Sequence, residues 1–188
     1  MATVLLDMAM SLDGFACGPN GEDHGLNDWF FAPSTGDKDV NRFVVQESID
    51  TAGALIMGKT TYSMAADFGG VADTPYRVPH FIVTHHPPAA PVETSPPFLF
   101  VTDGIDSVLR QAAAAAGERK VVIGGGVSTA QQFLQAGLVD EIQIHLIPIL
   151  IGAGKRLLDN VGSAPLRLEQ TRVLEAVGAT HLYYRVIR

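Results

Sequence analysis

The stretch "VVIGGGVSTAQQFLQAG", Val121 to Gly137, decides the reading of this chain. Its apolar start reads as a strand. Gly124, Gly125 and Gly126 separate that strand from a helix over 128–136, capped by Ser128 and closed by Gly137. Glycine has no Cβ, so its backbone reaches φ > 0 and lets a ligand approach closely. The helix that follows presents unpaired N–H groups and the positive end of its dipole. Together these features suit phosphate or pyrophosphate, and a plain tight turn is the competing reading. The pattern is not G-x-G-x-x-G, because Val127, Ser128 and Thr129 follow the third glycine.

A second stretch, "LIMGKTTY" (55–62), offers the same geometry. A buried strand ends at Gly58, Lys59 supplies a cation, and Thr60 and Thr61 supply hydroxyl and N–H donors. Two such turns at the C-terminal ends of strands in one sheet point to a single diphosphate-containing ligand spanning both. "HFIVTHH" (80–86) ends a third strand, with Thr84 and His85 where an adenosine ribose would lie. No acidic residue stands there to bind a ribose 2′-hydroxyl, which favours a 2′-phosphorylated nucleotide.

The remaining segments fit around these turns. "TVLLDMAMSLDG" reads as a buried strand closed by Asp-Gly, and residues 16–37 as a long loop carrying Trp29, Phe30 and Phe31. A helix is expected from about Asp37, as N-cap, to Thr51, and another after Asp103 or Asp106. "EIQIHLIPIL", "LRLEQTRVLE" and "ATHLYYRVI" alternate apolar and polar residues, as half-buried antiparallel strands do. The expected fold is a single α/β domain over residues 1–188. Its sheet is mixed, mostly parallel, with an antiparallel C-terminal hairpin and helices on both faces.

With 188 residues, 47% hydrophobic and 18% charged, the chain has the composition of a compact globular protein. A net charge of −7 argues against a general nucleic-acid binder, which needs a basic surface. Cys17 is the one cysteine, so no internal disulfide forms, and a reducing compartment fits. No apolar run approaches the roughly 20 residues of a membrane span, and the N-terminus lacks signal-peptide character. A cytoplasmic protein is expected. His80, His85, His86 and Cys17 lack zinc spacing, so no metal is expected. No G-x-S-x-G surrounds any serine, so nucleophilic hydrolysis has no support.

Four segments, "MSLDGFACGPNG" (10–21), "DTAGALIMGKTTY" (50–62), "VVIGGG" (121–126) and "FLQAGLVDEIQIHLIPILIGAGKRLLDN" (133–160), resemble the dihydrofolate reductase-like family. The branch they resemble is the reductase domain of bacterial riboflavin biosynthesis proteins. The resemblance implies a three-layer fold, NADPH as hydride donor, a small planar heterocycle as substrate, and commonly a homodimer. By position it assigns Gly58, Lys59, Thr60, Thr61, Gly124, Gly125, Gly126 and Val127 to the cofactor phosphates. It assigns Thr84 and His85 to the adenosine 2′-phosphate. Lys59 stands where many members carry arginine, keeping the charge without the bidentate fork. Gly152 to Gly154 match a late glycine-rich turn that reads as a hairpin connection.

Dihydrofolate reductases carry a carboxylate near the start of their first helix, and here that region falls near Asn41 and Arg42. Asp39 and Glu47 are the nearby candidates, and Asp13, in the turn after the first strand, is a third; each also reads as a turn or surface charge. Trp29 and Phe30 are candidates to stack on a flat ring, or else to close the core under the loop. The expected activity is reduction of a pyrimidine or pterin-like ring. The missing carboxylate keeps a second class open, a nucleotide-binding or regulatory dimer without turnover.

Overall fold

The computed structural model describes residues 2–32, 36, 39–67, 74–89, 94–162 and 164–188. An eight-stranded sheet organises them. Its strands are β1 (Val4–Ser11), β3 (Ala52–Gly58), β4 (His80–Val83), β5 (Phe98–Val101), β6 (Lys120–Ile123), β7 (Glu141–Ile147), β9 (Arg167–Ala176) and β10 (Ala179–Ile187). Their order across the sheet is β5-β4-β3-β6-β1-β7-β10-β9. The first six in that order run parallel. β10 returns antiparallel to β7, and β9 antiparallel to β10. The expected class, a mostly parallel sheet with an antiparallel C-terminal hairpin, is the observed one.

Alternation along β1 sends side chains to opposite faces. Leu6 joins Ile56, Val121 and Ile123 beneath α4 (Ile105–Ala116) and α5 (Val127–Gln135), where Val108, Ala112 and Phe133 are fully buried. On the opposite face α1 (Asp28–Phe31) and α2 (Val40–Thr51) pack Leu26, Trp29 and Val44 against Ala9 and Ile147. The remaining elements are α3 (Lys59–Asp67), which leaves β3 directly, and a two-stranded sheet of β2 (Phe15–Cys17) and β8 (Lys155–Arg156).

Several local expectations change. α2 begins at Val40, with Asp39 as N-cap accepting from the Arg42 N–H at 3.1 Å. Asp37 lies outside the described residues. Gly104 caps α4 and Gly126 caps α5, neither with a side-chain bond, and Ser128 sits inside the first turn of α5. Both glycines have positive φ, which a serine or aspartate in their place reaches only with strain. The turn at Gly152 to Gly154 leads to β8 rather than to a hairpin of the main sheet. A Cβ on Gly154 would sit against the Cys17 carbonyl, so glycine is what lets β8 meet β2.

The alternation in β7 has a different meaning from the expected one. Gln143 and His145 are buried, as is His181 on β10, because α1 and α2 cover that face. Their polar atoms face protein rather than water, and they need partners there.

Candidate functional site

The C-terminal ends of β4, β3, β6, β1 and β7 lie side by side along one sheet edge. Because β6 inserts between β3 and β1, the turn after β6 meets the turn after β3. The Gly58 N–H donates to the Gly125 carbonyl at 3.1 Å, and the Gly124 N–H to Ile56 O at 3.0 Å. A Cβ on Gly126 would stand 2.9 Å from Gly58 N, and one on Gly125 would stand 2.5 Å from Thr61 Cγ2. Part of the glycine requirement therefore comes from turn packing against turn. The amides of Gly58 and Gly124 are spent inside the fold, which narrows the expected set of bare donors to the first turns of α3 and α5.

Those helix starts stand side by side, and exposed Lys59, Thr60, Gly124 and Ser128 flank them. One strand further along, Val83 pairs with Gly58, which places Thr84 and His85 at the same edge. The two differ in exposure. Thr84 is buried and its Oγ1 accepts the His86 N–H at 3.1 Å, a local turn, whereas His85 is exposed. The cofactor candidates thus form a line from β6 through β3 to β4, about 10 Å long at normal strand spacing.

The three carboxylates expected near the chemistry separate. Asp13 bonds Ser11 Oγ at 2.6 Å and accepts the N–H groups of Ile151 and Gly152 at 3.1 and 2.7 Å. The Ser11 hydroxyl, then these backbone donors, lower it to about 2. It fastens the turn after β1 to the turn before β8, so both oxygens are occupied. Glu47 pairs bidentately with Arg172, which lies over the Tyr183 ring at 3.8 Å. Since Arg172 is level with Gln143 and Asp7 through the ladder, this pair sits at mid-sheet, away from the edge. Asp39 alone reaches the open site, at the N-terminus of α2.

There an open cavity of about 880 Å³ lies between α1, α2, the end of β7 and the β9–β10 hairpin. Trp29, Phe30, Asp39, Asn41, Ile147 and Ile149 are among its walls. The structure therefore brings both aromatic candidates to one cavity. Trp29 is also core: its ring lies 4.1 Å from His145 and 4.9 Å from His181, centroid to centroid. Its Nε1–H is buried with no acceptor among the described residues.

Behind Trp29 runs a buried chain that the sequence reading missed. Asp7 Oδ1 meets His145 Nε2 at 2.6 Å, and His145 Nδ1 meets His181 Nδ1 at 2.7 Å. His181 Nε2 meets Asn41 Oδ1 at 2.9 Å, while Ser48 Oγ donates to Asp7 Oδ2 at 2.9 Å. Burial alone drives Asp7 upward, but the His145 charge and the hydrogen bonds from His145 and Ser48 outweigh it and hold it below its ordinary value. Asp7 inside an apolar strand was the signal available, since a buried charge needs a partner.

Comparison with known proteins follows the same lines. The sequence profile of the RibD C-terminal domain matches residues 2–182. The chain belongs to that family. The uncharacterized protein YyaP of Bacillus subtilis (strain 168) is 24% identical, over 96% of this chain and 93% of its own. A putative riboflavin biosynthesis protein from Shewanella sp. PV-4 superposes with a TM-score of 0.77 at 25% identity, covering 100% of both chains. The dihydrofolate reductase from Enterococcus faecalis, complexed with NADP(H) and RAB-propyl, superposes at 0.66 with 14% identity, over 99% and 97% of the two chains. The fold of this RibD C-terminal domain is thus dihydrofolate reductase-like.

Proposed function

We propose that this RibD C-terminal domain is an NADPH-dependent reductase of the riboflavin-biosynthesis type, acting on a small planar heterocycle. The observation that carries the reading is the contact between the turns after β3 and β6, which sets the starts of α3 and α5 against each other. Two positive helix ends, with Lys59 beside them, suit the two negative charges of a diphosphate. Thr84 and His85 would take the adenosine end, and the nicotinamide end would point toward β1 and the cavity. The family membership and the NADP(H) held by the Enterococcus faecalis relative support the same choice.

NADPH supplies the hydride; the chain supplies geometry. Ile147, Ile149 and Phe30 offer an apolar wall that excludes water from a flat ring. A homodimer belongs to the proposal. The test is oxidation of NADPH with pyrimidine, pterin and flavin substrates. Turnover with a pyrimidine or pterin is expected; NADPH binding without turnover on any of them would instead favour the non-catalytic dimer.

A further inference from the structure

The direction of each hydrogen bond in the buried chain follows from one backbone carbonyl. Asn41 Nδ2 donates to Val177 O at 2.9 Å, so the carboxamide cannot be turned around without setting two oxygens against each other. Asn41 Oδ1 therefore accepts, and His181 Nε2 carries a hydrogen. Asp7 already accepts from Ser48, whose Oγ accepts in turn from the Tyr76 hydroxyl at 2.9 Å. Burial and the Asp7 charge push the Tyr76 hydroxyl up, so it stays a donor. Asp7 thus also accepts from His145 Nε2.

The Nδ1 to Nδ1 gap of 2.7 Å holds one hydrogen and no more. Three gaps need three hydrogens, and two neutral imidazoles supply only two. The chain holds one extra proton, balancing the Asp7 carboxylate. Burial, ahead of any other cause, lowers His181 to about 4, so His181 is neutral and carries its hydrogen on Nε2.

Asn41 ends the chain, because a carboxamide does not pass a proton onward as an imidazole does. A proton relay into the cavity is therefore not what the geometry offers. We propose that Asp7, His145 and His181 are positioning residues that, together with Val177 O, lock the Asn41 carboxamide in one orientation, so that the cavity reads the adjacent donor and acceptor of a cyclic amide edge. Among the described residues, one Nδ2 hydrogen and one Oδ1 lone pair stay unspent on this side chain, which lines the cavity. A carboxylate at the same place would read two donors, as in a protonated amidine. The inference rests on the substrate site proposed above and names the ligand edge it takes.

The lock also has a defined opening. A second proton puts two hydrogens into the Nδ1 gap and drives the rings apart. The groups facing this pair are Asp7 from β1, Asn41 from α2, Trp29 from α1 and Arg172 from β9, with Arg172 neutralised by Glu47. Opening is expected only near pH 4 and below.

Two measurements without NADPH test the proposal. Imidazole ¹⁵N NMR at neutral pH should show His181 neutral, with its hydrogen on Nε2. A His181 hydrogen on Nδ1, or a bare His181 Nε2, overturns it. Binding is then read with two bicyclic probes of one shape, quinazolin-4-one with a cyclic amide edge and 2,4-diaminoquinazoline in its ring-protonated form, whose amidinium edge presents two donors. The wild type should favour the first by about tenfold or more, as one mismatched hydrogen bond implies. His181→Phe, still folded by circular dichroism, should weaken it, since only the Val177 bond then orients Asn41, and His181→Gln, which keeps a donor toward Asn41, should retain it. Equal preference in the wild type, or loss in His181→Gln equal to that in His181→Phe, sinks the proposal. Probe preference intact with no NADPH turnover leaves this inference standing and removes the reductase reading instead.

Discussion

Gly126→Ala separates the two reasons for a glycine at the turn after β6. At φ +87° an alanine incurs about 1–2 kcal/mol of backbone strain. Its Cβ would also stand 2.9 Å from Gly58 N and 3.0 Å from Gly58 Cα, backbone atoms that cannot rotate away. Relief means pushing the turns apart and losing the Gly58 N–H bond to Gly125 O, an overpacking cost of about 1–3 kcal/mol. The unfolded chain loses freedom on the same change, which returns about 0.4–1 kcal/mol. The net expectation is a loss of about 2–3 kcal/mol. Gly117→Ala is the control, since Gly117 also has positive φ (+63°) but a Cβ there meets nothing within 4 Å. Urea unfolding should show both variants with an unchanged m-value and Gly126→Ala lower by at least about 1 kcal/mol. Equal losses in the two variants would refute turn-on-turn packing.

Acid should destabilise the protein. Burial lowers both His80 and His181 from 6.5 to about 4, so the unfolded chain takes up protons first as pH falls. Stability is full above about pH 6.5 and declines toward pH 4, by about 3 kcal/mol per histidine, and urea midpoints flat across that range contradict it. Lys59→Ala should weaken NADPH binding about tenfold and flatten its salt dependence; unchanged affinity removes Lys59 from the site. Glu47→Gln should leave kcat and KM within about twofold while costing about 1 kcal/mol of stability through Arg172. A large fall in kcat would restore Glu47 to the chemistry.

What the sequence disclosed follows from range. The strand-to-helix turns at Gly58 and Gly124 to Gly126 are local patterns, and so is the hairpin joining β9 to β10. The insertion of β6 between β3 and β1 is a pairing of distant segments that no local pattern states. The site was harder for the same reason. Asp13 and Asp39 read as candidate acids, yet their oxygens meet backbone N–H groups supplied by the turn before β8 and the start of α2. Alternation in "EIQIHLIPIL" gave the period of β7 but not what covers its polar face. Asp7, His145, His181 and Asn41 come from four elements, and only packing brings them together.

If the starts of α3 and α5 jointly hold one dinucleotide diphosphate, their backbone amides report it when the ¹⁵N-labelled protein is titrated with NADPH. Saturable shifts are expected at Lys59, Thr60, Gly125, Gly126 and Val127 at sub-millimolar nucleotide, with β9 unmoved. Silent amides at both turns up to millimolar NADPH, or shifts gathered elsewhere on the sheet, would contradict it.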